Sequence, residues 1–564
     1  MTIGRRSWLR RVGLGVGGSV ALIGCGDDDG EPTDGGIDAG ADMGVDMGVD
    51  MGPPAPEVSF PEALGDAFQH GVASGDPLAD AVILWTRVTT TEERVPVAWT
   101  IATDPGLTDV VASGTAVADA AADHTVKVDA TGLSAATTYY YQFATGTDQG
   151  SLIGRTRTAP SGASDRLRFG VVSCSSLAHG YFHAYRHLAE RADLDAVIHC
   201  GDYIYEYGNG EYGDVRDYEP PTEIVSLADY RMRYAQYRRD PDLQAVHQQH
   251  PFLTVWDDHE STNDSYVDGA ENHQDGEGDW EERKAIAFQV YLEWMPIRDT
   301  GEPLRIWREL RYGDLADFFL LDTRLWGRTV QQRATSPAFG DEARTLLGTD
   351  QEAWLAERLE ASSARWKILV QQVMVGQFVV EGPSGTTPAS PSFDDWASYP
   401  AARTRLLDLI EPRSDVVVLT GDIHSHWAND LPRDGNDPGD YDPETGAGSL
   451  AVEFVCSSVT SPALDEPDAS TALRLIQEAN PALRYGDFTQ RGYVAMELDA
   501  ARAQADYFVL DGILAGEGVQ TRARSFSCAT GAARLVEETD GLADVTDAPA
   551  LAPGAPERDP AALG

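Results

Sequence analysis

The chain has 564 residues with 91 acidic against 43 basic side chains, a formal charge of −48. That length suggests about two to four domains and a large core. The charge argues against nucleic acid or an anionic membrane held by bulk attraction, so a substrate anion must meet local positive charge, for which metal ions held by clustered acids are the obvious source.

In chain order, Arg5 and Arg6 precede Trp8, Leu9 and an apolar run, Val12 to Ile23, that is too short to span a membrane. Residues 1–24 resemble a twin-arginine export signal, which implies the Tat translocase as a partner and a protein exported folded. Leu22-Ile23-Gly24-Cys25 resembles a lipobox, with Cys25 as the lipidated residue; a free Cys after an ordinary signal peptide is the alternative. The expected location is the periplasm, outer membrane or cell surface, or the medium, with any membrane contact made through the lipid anchor. Residues 25–57 are rich in Gly, Asp and Pro and include "DMGVDMGVDMG", so they read as a flexible acidic spacer.

Residues 58–160 alternate at period two between Gly, Asp and Pro turns, which predicts a small antiparallel β-sandwich. Leu133, Thr137, Tyr139 and Tyr141 in "TGLSAATTYYYQF" resemble a fibronectin type III strand pair. Residues 165–530 alternate fully apolar strands with helical stretches and predict a layered α/β domain. Residues 531–564 return to Ala, Pro and acid and read as a weakly ordered tail. Five cysteines do not suggest a disulfide scaffold; one bridge among Cys200, Cys456 and Cys528 stays open, and Cys200 reads as a small buried hydrophobe. His179, His183 and His187 lack a nearby acid motif and read as helix surface or pocket rim.

Four strands of the α/β region deliver metal-capable residues at their C-terminal ends, where open α/β sheets place their sites. They supply Ser173 and Cys174; Asp202 and Tyr205; Asp257, Asp258, His259 and Glu260; and Asp422, His424 and His426. Asp at one strand end often caps a turn, but four such endings in one domain point to a shared metal centre. Thiolate, phenolate and imidazole favour a trivalent or borderline cation and carboxylates a hard divalent one, so two unlike ions are expected, with Asp202 between them.

Taken in order, "SCSS", "HCGDYIYEYG", "TVWDDHESTND", "LDTR" and "LTGDIHSHW", with the sandwich in front, resemble the PhoD family of alkaline phosphatases and phosphodiesterases, within the calcineurin-like metallophosphoesterases related to purple acid phosphatases. The resemblance implies an α/β/β/α layered fold preceded by a fibronectin III or Ig-like domain, with Fe3+ and Ca2+ as cofactors. It places Cys174 at the first-motif acid position, Asp202 between the ions and Tyr205 on iron. Asp258 falls at the Asn of the GNH element, and Asp422 and His424 at the two histidines of GHxH, with His424 completing the iron site. No His occurs around "ILVQQVMVG", where the wider superfamily has a ligand; Gln371 or Gln372 stands there, and Asn263, Asp257 or water are the other candidates.

The implied reaction is hydrolysis of phosphomonoesters and phosphodiesters by a metal-bound hydroxide, for phosphate scavenging. His259 would hydrogen-bond the phosphoryl group or protonate the leaving group, or else simply pair with a neighbouring carboxylate. Arg324 would hold phosphate oxygens or lock Asp322 in a buried pair. His426 reads either as a supporting or substrate residue or as a surface histidine. A specialised diesterase of the phospholipase D type and a non-catalytic surface lipoprotein are the alternatives. Substrate range would depend on loops such as 211–223 and on whether the tail covers the site.

Overall fold

The computed structural model describes residues 66–146, 149–379, 393–463 and 468–554. The export signal, Cys25, the acidic spacer, the first residues of the sandwich and the last ten of the tail lie outside the described residues.

Two sheets lie face to face. In the first, the parallel strands Arg166–Val172, Ala196–His199 and Pro251–Thr254 stand side by side. In the second, Ala316–Leu320, Trp366–Val370, Val416–Thr420 and Ser449–Val455 run parallel. The strands are mostly apolar, broken only by residues such as Arg166, Arg168, Asp317, Lys367 and Glu453, because both of their faces are covered. Alternation then sorts the side chains: Phe318, Leu320, Ile368, Val370, Val417 and Leu419 enter the core between the sheets. Their neighbours Phe319, Leu321, Leu369, Val416 and Val418 pack outward with Leu355, Leu359, Leu406 and Ile410 of helices Gly348–Ala361 and Pro400–Ile410. Helices Leu227–Tyr237, Pro241–Gln249 and Trp280–Trp294 contribute Tyr234, Val246 and Trp294 to the first sheet's core. The layers are therefore α/β/β/α.

The β-rich region in front is less separate than its sequence suggests. Its five-stranded sheet packs Val97, Ile101, Tyr141 and Phe143 onto Val82, Leu84 and Val126. These last three lie on Ala81–Arg87 and Thr125–Thr131, which extend the ten-stranded catalytic sheet through Val72–Gly75, paired parallel to Pro251–Thr254. A boundary at 160–165 falls between strands, but one sheet crosses it. Buried Asp76 closes the seam in a two-oxygen pair with Arg308, at 2.8 and 2.6 Å. Inside the sandwich the Tyr139 hydroxyl accepts the Ser134 N–H at 2.8 Å, a tyrosine corner.

Residues 531–554 are not the loose tail expected. Leu535–Glu537 adds a strand to Gln520–Ala529. Arg168 donates to the Ala543 carbonyl, Tyr140 to that of Ala550, and Gln248 to that of Pro553. Composition counts apolar side chains, whereas this segment is held by its backbone groups. Cys174, Cys200, Cys456 and Cys528 are all buried free thiols, so no disulfide joins the three candidates. Among the described residues no helix is long and apolar enough to cross a membrane.

Candidate metal centre

The strand ends turn sharply to bring their side chains together. Cys174, Asp202, Asp422 and His424 all have positive φ, between 58° and 63°. Non-glycine residues rarely hold that conformation unless their surroundings impose it. The loops can touch because glycine precedes two of the acids. A Cβ on Gly201 would lie 2.5 Å from that of Asp257, and one on Gly421 2.6 Å from that of Ser173. Glu260, the last residue of "DDHE", acts as a clamp: its carboxylate accepts the N–H groups of Asp202, Tyr203 and Asp257 at 3.1, 2.6 and 2.8 Å.

Ligand-capable atoms of Cys174, Asp202 and His424 lie within 4.8 Å of one another, as do those of Asp202, Asp258 and His259, and of Asp257, Asp258 and Asp422. Asp202 belongs to the first two groups and Asp258 to the last two, so the three form one continuous centre. The Tyr205 hydroxyl sits in the first group, donating to Asp202 Oδ2 at 3.0 Å and lying 3.3 Å from His424 Nε2. Asp264 and Asp394 form a further group with Asp258.

The electrostatics show an excess of negative charge. Burial, with Asp258, Asp202 and Asp422 nearby, pushes Asp257 well above the ordinary carboxylate range against the pull of Arg324. Burial and Asp202 push Glu260 up to about 8 and the Cys174 thiol well up. Burial works against charge on His259, but Glu206, Asp258 and Asp202 outweigh it and hold its pKa at about 10. Asp257 Oδ2, His259 Nε2 and Asn263 Oδ1 are buried with no hydrogen-bond partner. The two orphaned oxygens, amid carboxylates driven toward neutrality, fit bound cations, which would reverse the sign of the local field. The donors divide into a softer end with sulfur, phenol and imidazole and a harder end with carboxylates and an amide oxygen.

Other site residues have defined places. His259 Nδ1 meets Glu206 Oε2 at 2.6 Å, so the carboxylate partner of His259 is Glu206. Glu206 also accepts from Asn263 N and Asn272 Nδ2, both at 2.9 Å. Arg324, fully buried, donates to Asp257, to Asp394 at 2.7 Å and to Asp422 at 3.1 Å. It does not pair with Asp322, whose carboxylate instead caps the N–H groups of Arg324, Leu325 and Trp326; the side chain points past its neighbour into the acid cluster. His426 is buried, accepts Ser457 N at 3.0 Å and faces the Phe508 carbonyl, so the surface reading fails: it holds a loop.

Both glutamines in the histidine-free region have structural duties. Gln372 bridges the carbonyls of Trp256 and Leu321 to Thr323, and Gln371 bridges Thr420 to Trp396. Tyr203 is core, bonded to His247 and Arg238, whereas the Tyr207 ring lies beside His259 and forms wall. His183 and His187 bond the Leu514 and Gly518 carbonyls, and His179 bonds Ser176, which leaves no zinc arrangement among them.

Sequence reasoning missed Glu206, the Glu260 clamp and the segment 456–461. Val459 N donates to the Ser173 carbonyl and Thr460 N and Ser461 N to that of Cys174, while Ser457 Oγ lies 3.4 Å from that of His424. Four hydroxyl residues interleaved with Cys456 and Val459 after an apolar strand carry no ligand signal; their importance lies in what they reach.

The family model for PhoD-like phosphatases matches residues 169–507, and that for the N-terminal domain of PhoD-like phosphatases matches 55–160. Alkaline phosphatase D of Bacillus subtilis (strain 168) is 38% identical over 484 residues, covering 81% of this chain and 80% of its own. The solved structure of PhoD superposes with a TM-score of 0.77 at 35% identity, covering 86% of this chain and 94% of that one.

Proposed function

Since the chain belongs to the PhoD-like phosphatase family, we propose that it is an exported hydrolase of phosphomonoesters and phosphodiesters that takes ferric iron and calcium at the centre described. The observation that carries this reading is the buried convergence of thiol, phenol, imidazole and carboxylates around Asp202. Cys174, Asp202, Tyr205 and His424 would hold the iron. Asp202, Asp257, Asp258, Asp422 and Asn263 would hold calcium. Bound cations supply charge neutralisation of the ester and an acidified water.

The chain's own residues supply orientation and a proton. Glu206 fixes His259 so that Nε2 turns toward the ligands, 4.0 Å from Asp258 Oδ1. A protonated imidazole held there can donate to the leaving oxygen. Arg324 holds Asp257, Asp394 and Asp422, which makes it a positioning residue for the acid cluster. The buried rings of Tyr205 and Tyr212 stack beside His259 and keep bulk water from it.

Arg5, Arg6 and the lipobox at Cys25 support export through Tat and a surface anchor, and phosphate scavenging is the biology that fits an exported esterase. The test is hydrolysis of p-nitrophenyl phosphate and bis-p-nitrophenyl phosphate by protein exported folded, with and without chelator, beside elemental analysis for iron and calcium. Activity lost on chelation and restored by calcium is the expected result, and the ratio of the two rates places the enzyme between phosphatase and diesterase. No turnover of either ester by metal-replete protein would overturn the proposal.

A further inference from the structure

We propose that Ser461 is a positioning residue for the metal-binding tyrosine: its hydroxyl donates to the Tyr205 oxygen and sets how strongly that oxygen gives charge to the iron. The inference rests on the proposed iron site.

Ser461 is fully buried, and its Oγ lies 2.6 Å from the Tyr205 oxygen and 3.0 Å from the Cys174 carbonyl. A serine has one proton, so it can serve only one of the two. The Cys174 carbonyl already receives Thr460 N and Ser461 N, each at 3.3 Å. The Tyr205 proton is directed elsewhere, to Asp202 Oδ2 at 3.0 Å. The tyrosine oxygen, at 2.6 Å against 3.0 Å for the carbonyl, is therefore the nearer acceptor of the Ser461 proton. A tyrosine binds iron as phenolate, and a hydrogen bond to an ionised oxygen is the stronger kind, so the preference sharpens when metal is present.

The serine is held in place by its own segment. Ser458 Oγ donates to the Ser461 carbonyl at 2.7 Å, Thr460 Oγ1 to the Ser176 carbonyl at 2.7 Å, and Ser457 Oγ to the Gln490 carbonyl at 2.8 Å. Ser173 and Ser458 form a parallel bridge. Residues 457–461 thus form a strap across the backbone of Cys174 and His424 that ends on the oxygen of Tyr205. Hydrogen bonds of this outer kind orient ligands and adjust the metal, and their loss typically costs about 10- to 100-fold in metal affinity or activity.

Charge sets the direction of the effect. Donation from Ser461 draws electron density from the phenolate and stabilises its filled orbitals. Without it the oxygen gives more charge to ferric iron, which favours the oxidised ion and lowers the energy of phenolate-to-iron charge transfer. The visible band should move to longer wavelength, and reduction of the iron should become harder.

The experiment uses iron-loaded, calcium-replete full-length protein and its Ser461→Ala, Ser461→Thr and Tyr205→Phe variants. Ser461→Ala is expected to shift the band to longer wavelength and slow reduction by dithionite. Ser461→Thr, which keeps the hydroxyl, is expected to restore both. In the Tyr205→Phe background, which has no band, Ser461→Ala should cause no further change in the reduction rate, because the serine acts through that oxygen. An unchanged band and reduction rate in folded Ser461→Ala, with the wild-type band present, would overturn the inference alone. A wild-type protein that binds iron but shows no tyrosinate band would instead overturn the iron reading on which it rests. If Ser461→Ala fails to fold, Ser461→Thr and Ser461→Cys decide it: the band must follow the strength of the donated hydrogen bond, and a band indifferent to both overturns the role.

Discussion

Glu206 decides which nitrogen of His259 is free to work. With its carboxylate 2.6 Å from Nδ1, Nε2 is left buried beside the ligands. His259→Ala should lower kcat by about 100-fold or more, the range of a lost general acid, and most on esters with poor leaving groups. Glu206→Gln keeps an acceptor but removes the charge; the expected result is a fall in kcat of about 10-fold with KM little changed, read by comparing p-nitrophenyl and alkyl phosphates. Neither role for Glu206 is legible in the chain, because its partner stands 53 positions away and only tertiary proximity reveals it. Asp202 and Tyr205 are legible because an apolar strand that breaks at Gly201 into acid and phenol buries both groups at a cost that bound metal offsets. Gly201 itself tests the close approach of the loops. Gly201→Ala combines φ of 101° with a clash against Asp257, and should cost about 1–3 kcal/mol, measured as a lower urea midpoint, together with weaker metal retention.

At the scale of elements, the strands of the two face-to-face sheets are readable from their largely apolar runs, and the site from the polar residues at the C-terminal end of several of them. The limits of the elements are less readable. The runs identify Ala81–Arg87 and Thr125–Thr131 as strands but do not say which sheet they join. The junction is instead announced by charge, since Asp76 and Arg308, 232 positions apart, are buried against each other. Arg308→Ala would leave the buried Asp76 carboxylate with the Arg298 N–H but without its guanidinium partner. A loss of about 3–5 kcal/mol is expected, seen as a lower thermal midpoint, while kcat on p-nitrophenyl phosphate in the folded protein stays near that of the parent. The last described segment hides for a similar reason: its anchors, Gln248, Gln249 and Tyr140, belong to distant parts of the chain.

For the whole molecule, the charge of −48 and the acid cluster at the centre act together. Cations bound only by the native state stabilise it by about 2.7 kcal/mol at a free concentration 100 times Kd. Chelation should therefore lower the thermal midpoint as well as abolish activity, and calcium should restore more of the midpoint than an equal ionic strength of sodium; scanning calorimetry distinguishes specific binding from screening in this way. The composition makes cations an expectation, but the number of sites does not follow from it, because Asp258 takes part in several groups at once. The order in which those groups assemble has a consequence in time. Tyr205 meets His424 across 219 positions, and the strand bearing Cys174 is flanked by Gly492–Asp499. Pairings that distant form late and slowly. A growing chain thus exposes its thiol and first acids long before the imidazole that joins them exists, so completion of the centre is a closing event of folding, and a chain interrupted before residue 424 has only part of the ligand set.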